Sequence, residues 1–136
     1  MTMAVEAVLS IGSNFGDRTG QVSEAMQWIC SLLSGSRCSR IYATDDCHGG
    51  PRVYHNAVVA GHTALPASEL ESLCKRYECA HGRTPQARAA GDVPIDIDLV
   101  IYDAEVLRPA DFRRSFFKIG YSEVISDAVC QELPSP

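Results

Sequence analysis

A short run of alternating apolar and acidic residues constrains the fold of this chain more than any other feature. The run begins Ile95-Asp96-Ile97-Asp98 and continues as an apolar stretch to Tyr102. Because successive side chains of a β-strand point to opposite faces, this alternation predicts a strand with Asp96 and Asp98 on one face. The apolar residues expected together on the other face are Ile95, Ile97, Leu99 and Ile101.

The two aspartates of this strand predict either a cation site or a solvated sheet face. Neighbouring carboxylates on an apolar strand repel each other and lose hydration, so a bound cation would lower the cost of placing them together. Magnesium prefers oxygen ligands and is commonly held by one or two carboxylates together with substrate phosphates. In the alternative interpretation, Asp96 and Asp98 are charges on a wet face and bind nothing. The strand alone leaves both interpretations open.

Length and composition are ordinary for a globular domain. The 136 residues predict a single domain over 1–136, with 46% hydrophobic and 21% charged residues. The net charge of −5 argues against a nucleic-acid partner, because domains that bind nucleic acids usually carry a basic surface. No apolar run approaches the roughly 18 residues of a membrane span. The amino terminus shows no basic segment followed by an apolar stretch, so a cytoplasmic location without a membrane partner is expected.

The cysteines lack the spacing of a metal or redox motif. No Cys-x-x-Cys pair and no zinc-ligand spacing is present. This pattern predicts reduced thiols, several of them buried as small apolar side chains. Cys47 and His48 could ligate a metal, but two adjacent ligands on a glycine-rich loop give this interpretation only weak support. The six cysteines are Cys30, Cys38, Cys47, Cys74, Cys79 and Cys130.

The order of the predicted elements indicates an α+β protein with a ferredoxin-like βαββαβ sandwich. Asp17 is expected to cap the first helix, and Gly35 is expected to end it in the left-handed conformation. A second helix is expected from Leu65 to about Gly82. The sheet is expected to be mostly antiparallel, with both helices packed on one face and the other face free for ligands. The predicted strands are 4–11, 37–44, 53–63 and 95–102, and the predicted loops include 45–51 and 84–94.

Four separated segments together resemble one enzyme family. They are Ile11–Arg18, Tyr54–Val58, Glu78–Arg83 and Ile95–Leu99. Each segment alone is a weak signal, but their order and separations resemble 6-hydroxymethyl-7,8-dihydropterin pyrophosphokinase of folate biosynthesis. The resemblance implies the ferredoxin-like fold that the order of elements predicts independently. It also implies transfer of the terminal diphosphate of ATP to the hydroxymethyl group of a reduced pterin, with release of AMP.

The resemblance assigns roles to residues of this chain. It implies that two Mg²⁺ ions lie between the triphosphate and the carboxylates of Asp96 and Asp98, which would be catalytic together with Arg83. Residues that match pterin-binding positions of the family are Gly12, Thr44, Tyr54, Asn56 and Phe116. Residues that match nucleotide-binding positions are Glu78, Arg83, Arg88 and Arg114. The partners implied are therefore the pterin and ATP, and the resemblance names no protein partner.

Ordinary structural roles are open for several of these residues. Arg83 could neutralise the end of a helix dipole, Asn56 could cap a strand end, Phe116 could pack in the core, and Glu78 could be a solvated acid.

The chain departs from the family pattern in the part that holds the nucleotide. A family arginine is replaced by Val93, an aromatic residue is replaced by Ala90, and a Pro-His segment is missing after Val106. Each lost hydrogen bond to phosphate weakens binding by roughly 1.5–3 kcal/mol. Two further hypotheses therefore stand beside the enzyme: a pterin-binding relative that has lost ATP chemistry, and an unrelated ferredoxin-like interaction domain.

Overall fold

The secondary structure follows the predicted βαββαβ order and then continues with further elements. The structure, a computed structural model, describes residues 3–132, with side chains described through residue 125. The elements are β1 (Val5–Ser13), α1 (Arg18–Leu32), β2 (Ser34–Cys38), β3 (Tyr42–Asp45), β4 (Val53–Thr63), α2 (Ala67–Ala80), α3 (Pro85–Ala90), β5 (Asp96–Tyr102), β6 (Glu105–Val106), α4 (Pro109–Phe112) and α5 (Ser115–Glu132).

A single antiparallel sheet forms the centre of the molecule. Its strand order is β2-β4-β1-β5-β6, and β3 also pairs with β4. Each of the described strand pairings is antiparallel. Helix α1 packs against β1 and β4, and α2 packs against β5. The α+β ferredoxin-like fold class is therefore confirmed.

The sheet has an apolar core on each face. The helix-covered face carries Leu9, Ile11, Ile97 and Leu99 in the larger buried cluster. The opposite face carries Val8, Val58 and Val100 in a second cluster, which α5 covers through Phe117. The prediction that this opposite face is free for ligands is therefore only partly right. Helix α5 follows the predicted elements in sequence, and it buries one end of that face.

Ile101 lies on the face opposite to the predicted one. It belongs to the second cluster with Val8, whereas Ile95, Ile97 and Leu99 belong to the first, as predicted. The register between β1 and β5 shifts between Val8 and Leu9. Such an irregularity interrupts strict alternation, which a count along the sequence does not detect.

The predicted strand over 37–44 is divided into two strands. Both β2 and β3 pair with β4, and residues 39–41 interrupt them. At this interruption Ser39 makes two hydrogen bonds to Val58 of β4. Its hydroxyl accepts from the Val58 N–H at 2.9 Å, and its own N–H donates to the Val58 carbonyl. Gly35 adopts the expected left-handed φ of 57°. It lies in β2, however, because α1 has already ended at Leu32.

The predicted loop over 84–94 contains the short helix α3. Thr84 caps its amino end by accepting from the Ala87 N–H at 3.1 Å, and Gly91 ends it with a φ of 77°. A Thr-Pro start and a glycine stop are ordinary helix boundaries, so the sequence carried this signal. The Asp17 cap of α1 is as predicted, since its carboxylate accepts from the Gly20 N–H at 3.1 Å.

Of the described cysteines, Cys74 is buried and Cys30 is partly buried, while Cys38, Cys47 and Cys79 are exposed as free thiols. The side chain of Cys130 lies outside the described residues. Within residues 3–125, no group of three or more His, Cys, Asp and Glu side chains is placed to hold a metal. No helix in the described chain is long and apolar enough to span a bilayer.

Replacing Gly120 with alanine is expected to destabilise the fold. Its Cβ would lie 2.6 Å from Val58 Cγ2 and 2.8 Å from the Tyr42 hydroxyl, so α5 would have to move away from the sheet. Overpacking of this kind costs about 1–3 kcal/mol, which urea unfolding would measure. Gly12→Ala is the matched control, because its Cβ would make only ordinary contacts of 3.5 and 3.6 Å. Equal stability of the two variants would contradict this account of helix packing.

Candidate active site

A cavity opens on the sheet face that α5 covers only in part. Its volume is about 210 Å³. The floor consists of β1, β4 and β5, and the rim consists of the segment after β3, the segment through α4 and the start of α5. Seven residues that the sequence nominated line this cavity: Gly12, Thr44, Tyr54, Asn56, Asp96, Asp98 and Phe116.

Asp96 and Asp98 point into this cavity from the same face of β5. The register of β5 on β1 places Asp96 opposite Gly12 and Asp98 opposite Ser10. The intervening Ile97 is fully buried on the other face. The alternation that predicted a shared face for the two aspartates is therefore correct.

The acid pair carries a cost of burial and of mutual repulsion, which the raised pKa of Asp98 reflects. The pKa of Asp98 is raised to about 6. Burial is the largest cause, and the charge of Asp96 and a hydrogen bond to Asp96 add to it. The Asp98 side chain is only 13% exposed. A divalent cation with oxygen ligands would relieve both the burial cost and the repulsion, so the donor set fits magnesium.

Three basic side chains already approach the two carboxylates. Lys75 Nζ lies 3.2 Å from Asp98 Oδ1, and an Arg108 guanidinium nitrogen lies 3.9 Å from the same oxygen. Arg83 Nη1 lies 3.2 Å from Asp96 Oδ1. These cations lower the repulsion between the acids, but they leave the pKa of Asp98 raised.

Arg83 lies beside the cavity and holds the start of β5. Its Nη1 donates to the Ile95 carbonyl at 3.1 Å and to Asp96 Oδ1 at 3.2 Å. Its Nε is buried and has no hydrogen-bond partner among the described residues. An unsatisfied buried donor on a cation is costly, and an anionic ligand is the kind of group that would satisfy it.

Glu78 is buried beneath the site and does not line it. The side chain accepts from the Ile97 N–H at 2.7 Å and from Lys75 Nζ at 3.1 Å. Arg83 Nη1 lies 3.7 Å from its other carboxylate oxygen. These contacts fix β5 and the two cations that flank it, so Glu78 is placed to position the acid pair. The open alternative of a solvated acid is wrong, since Glu78 is 3% exposed.

Asn56 supplies an oriented amide at the cavity floor. Its Nδ2 donates to Thr44 Oγ1 at 2.8 Å and to the Tyr42 carbonyl at 3.3 Å. These bonds fix the plane of the amide. Gly12 leaves space next to Asn56 Oδ1, where a Cβ would approach to 3.5 Å.

Aromatic side chains form two further parts of the cavity lining. Tyr54 extends from β4, and Phe116 extends from the first turn of α5. The pKa of the Tyr54 phenol is raised, mainly by burial and to a smaller extent by the charges of Asp46 and Asp96. The cavity thus combines aromatic walls with a fixed amide and two acids, which suits a flat, polar heterocycle.

None of the three nominated arginines lines the cavity, although Arg83 contacts Asp96 at its edge. Arg88 lies in the last turn of α3. Arg114 lines an adjoining open groove that also includes Thr44 and Phe116. The structure therefore brings Arg114 next to the cavity but does not bring Arg88 to it.

Several residues that line the cavity were not among the predicted pterin, nucleotide and magnesium positions. Arg108 is the most consequential, because it adds a positive charge near Asp98 in the region where the family pattern is shortened. Its Nε also donates to Asp111 Oδ2 at 2.5 Å. Ser10 could have been found by alternation along β1, because it shares a strand face with Gly12, which the resemblance had nominated. The lining residues that were not assigned to pterin, nucleotide or magnesium binding are Ser10, Asp45, Asp46, Cys47, His48, Arg108 and Asp111.

The fold and the cavity define a class of protein, namely an α+β ferredoxin-like domain with paired acids and an aromatic pocket on one sheet face. The family model for 7,8-dihydro-6-hydroxymethylpterin-pyrophosphokinase matches residues 8–126. The chain therefore belongs to the 7,8-dihydro-6-hydroxymethylpterin-pyrophosphokinase family, and the resemblance noted in the sequence is confirmed.

Curated relatives agree with this assignment. A 2-amino-4-hydroxy-6-hydroxymethyldihydropteridine pyrophosphokinase of Porphyromonas gingivalis is 28% identical, with 94% of this chain and 95% of the relative covered. An enzyme of the same name from Aquifex aeolicus is 30% identical, with 74% and 62% covered. A folate synthesis bifunctional protein of Arabidopsis thaliana is 33% identical over 71% of this chain. The match spans only 20% of that plant protein's length.

Proposed function

We propose that this chain transfers a diphosphate group from ATP to the hydroxymethyl group of 6-hydroxymethyl-7,8-dihydropterin and releases AMP. The observation that carries the proposal is the convergence of Asp96, Asp98 and Asn56 on one cavity. Family membership supports the same reaction, as does the printed name of a relative that covers 94% of the chain. The proposed place of this reaction is the synthesis of folate.

The acid pair is proposed to hold magnesium. Asp96 and Asp98 would provide oxygen ligands, and phosphate oxygens of ATP would provide others. When bound, the metal would neutralise phosphate charge and lower the barrier to ionisation of the substrate hydroxyl. Glu78 and Lys75 would keep Asp98 and its strand in position for this role through the contacts they already make.

Three arginines are proposed to contact the polyphosphate. Arg83 has an unsatisfied buried Nε beside Asp96, Arg108 lines the cavity, and Arg114 lines the adjoining groove. Phosphoryl transfer depends mainly on in-line positioning and charge neutralisation, and guanidinium groups offer paired donors for both. Arg108 lines the cavity, and its charge would replace phosphate contacts that are lost because the segment after Val106 is shorter than in the family.

The pterin is proposed to bind over β1 and β4. Asn56 Oδ1 can accept from the polar edge of the ring, while its Nδ2 hydrogens are held by Thr44 and the Tyr42 carbonyl. Thr44 would hold the Asn56 amide in this orientation, while Tyr54 and Phe116 would enclose the ring. Gly12 would leave the space that the ring edge occupies.

Calorimetry with each ligand alone tests this proposal. Reduced hydroxymethylpterin and a non-hydrolysable ATP analogue with Mg²⁺ are titrated separately into the protein. The proposal expects binding of both, and loss of nucleotide binding when EDTA replaces the metal. Pterin binding without nucleotide binding would support the relative that has lost ATP chemistry, and binding of neither would overturn the proposal.

Gly12→Ala is expected to weaken pterin binding without unfolding the protein. The added methyl group would contact Asn56 Oδ1 and Tyr54 Cδ2 at 3.5 and 3.6 Å, so it would occupy cavity space rather than core space. Overpacking of about 1–3 kcal/mol corresponds to roughly a 5- to 150-fold loss of affinity. Titration of the pterin measures this loss, and unchanged affinity would place the pterin elsewhere.

A further inference from the structure

Two cysteine sulfurs lie in contact at a distance from the cavity. Cys30 is in the last turn of α1, and Cys38 is the last residue of β2. Their Sγ atoms are 3.4 Å apart. Among the cysteines whose side chains are described, no other two sulfurs approach to hydrogen-bond distance.

One sulfur of this pair is exposed to solvent, and the other is held in place by the fold. Cys38 is exposed on β2, at the end of the sheet order, and Cys30 is partly buried against the larger core. An external reagent can therefore reach one sulfur while the fold holds the second beside it. Partial burial of the sulfur and the nearby Cys30 raise the pKa of Cys38 to about 12, so only a small fraction of this thiol is thiolate at neutral pH and exchange through it is slow.

We propose that Cys30 and Cys38 form a reversible disulfide through exchange with a small-molecule disulfide. A thiolate of the pair attacks one sulfur of the reagent, which releases one thiolate and leaves a mixed disulfide on the protein. The second cysteine loses its proton and attacks the protein-bound sulfur, which releases the other reagent thiolate. The protein loses two protons and two electrons, which together equal two hydrogen atoms, and the reagent is reduced to two thiols.

The local backbone permits closure of this bond. The sulfurs must approach from 3.4 Å to the roughly 2.05 Å of a disulfide. The segment between them includes Gly35 with a φ of 57°, and the register of β2 on β4 shifts between Ser34 and Arg37. This stretch is thus already irregular, and a small adjustment there does not require the regular ladder of β4 and β1 to move.

The disulfide would change stability rather than ligand binding. It would join the end of α1 to β2 and restrict the unfolded chain between residues 30 and 38. A ring of this size lowers the unfolding equilibrium constant on the order of 10- to 100-fold in the chain-entropy account. None of the residues that line the cavity belongs to α1 or β2, so pterin affinity is expected to stay the same in both redox states.

Peptide mapping of the full chain tests the proposal. The protein is equilibrated with oxidised glutathione, its free thiols are alkylated, and non-reduced peptides are identified by mass. We expect a cross-link between the peptides that contain Cys30 and Cys38, a mass lower by two hydrogen atoms, and a higher melting temperature that dithiothreitol reverses. Cys79→Ser, which removes an exposed thiol on α2, should behave like the unaltered chain.

Cys38→Ser should lose both the cross-link and the redox-dependent shift of the melting temperature. Mapping of the unaltered chain decides the question by itself if that variant does not fold. A stable glutathione adduct on Cys38 without the cross-link would overturn the proposal, as would a cross-link that lowers the melting temperature.

Discussion

Asp98→Asn is expected to stabilise the metal-free protein and to slow diphosphate transfer by roughly 100- to 1,000-fold. Burial and the neighbouring Asp96 raise the pKa of Asp98 to about 6, from a reference value of 3.8. At pH 7 the Asp98 carboxylate is therefore ionised at a free-energy cost in the folded state that the unfolded chain does not have, and a neutral amide removes that penalty. A shift of this size corresponds to about 1–3 kcal/mol, which urea unfolding of the metal-free protein would measure.

The pH dependence of this stability gain follows from the raised pKa of Asp98. Because the folded pKa lies above the unfolded value, the folded state binds the proton more tightly between pH 6 and pH 4. The penalty in the unaltered chain is complete above about pH 6 and disappears as the pH falls toward 4. The stability gain of Asp98→Asn should therefore be largest at pH 7 and should vanish near pH 4. Asp103→Asn, on an exposed turn with a φ of 51°, is the matched control for replacing an aspartate outside the cavity.

The same substitution should strongly reduce diphosphate transfer. An amide at position 98 would lose the charge proposed to hold magnesium, and Asp96→Asn should act in the same way. Loss of one preorganised electrostatic contact of this kind lowers kcat by roughly 100- to 1,000-fold. An Asp98→Asn protein that is more stable but turns over more slowly would show that the acid pair serves catalysis at a cost in stability. A less stable Asp98→Asn protein, or one with nearly full activity, would contradict this account.

Arg83→Met is expected to weaken nucleotide binding strongly and pterin binding little. Arg83 has its Nε unsatisfied and its Nη1 bonded to the Ile95 carbonyl and to Asp96. Loss of a charge-assisted contact to phosphate costs roughly 1.5–3 kcal/mol, which corresponds to about a 10- to 150-fold loss of affinity. Separate titrations of the ATP analogue and of the pterin measure the two affinities.

Two further variants sharpen the test of Arg83. Arg83→Lys should recover little nucleotide affinity, because an ammonium group cannot reproduce the forked donors of a guanidinium. Arg76→Met is the matched control, since Arg76 is on the exposed side of α2 and does not line the cavity. Equal losses for nucleotide and pterin in Arg83→Met would indicate a general disturbance of β5 instead of a phosphate contact.

The central part of the site could be predicted because it depends on local alternation. Side chains two residues apart on a strand share a face, so Asp96 with Asp98 could be placed from the sequence alone. The residues of β1 and β4 came from the family resemblance, and the antiparallel register that brings Gly12 opposite Asn56 is a property of the fold. Local signals for the short helix α3 were also present in the sequence, in Thr84 at its start and Gly91 at its end. The segment 84–94 was nevertheless predicted to be a loop.

The remaining features depend on contacts between distant segments. The shift of register that moves Ile101 to the other face is a property of the pairing between β1 and β5. The position of Arg108 near Asp98 depends on how the chain turns after β5. Likewise, Phe117 of α5 packs on the sheet face that the six-element pattern leaves open. No local periodicity specifies any of these three.

Chromatographic measurement of AMP and of the diphosphorylated pterin tests the central claim most directly. The protein is incubated with ATP, Mg²⁺ and 6-hydroxymethyl-7,8-dihydropterin, and parallel samples omit the pterin or contain EDTA. The account predicts equal amounts of the two products in the complete mixture and neither product in the parallel samples. AMP release that does not require the pterin, or a complete mixture that yields no more product than Asp98→Asn, would contradict it.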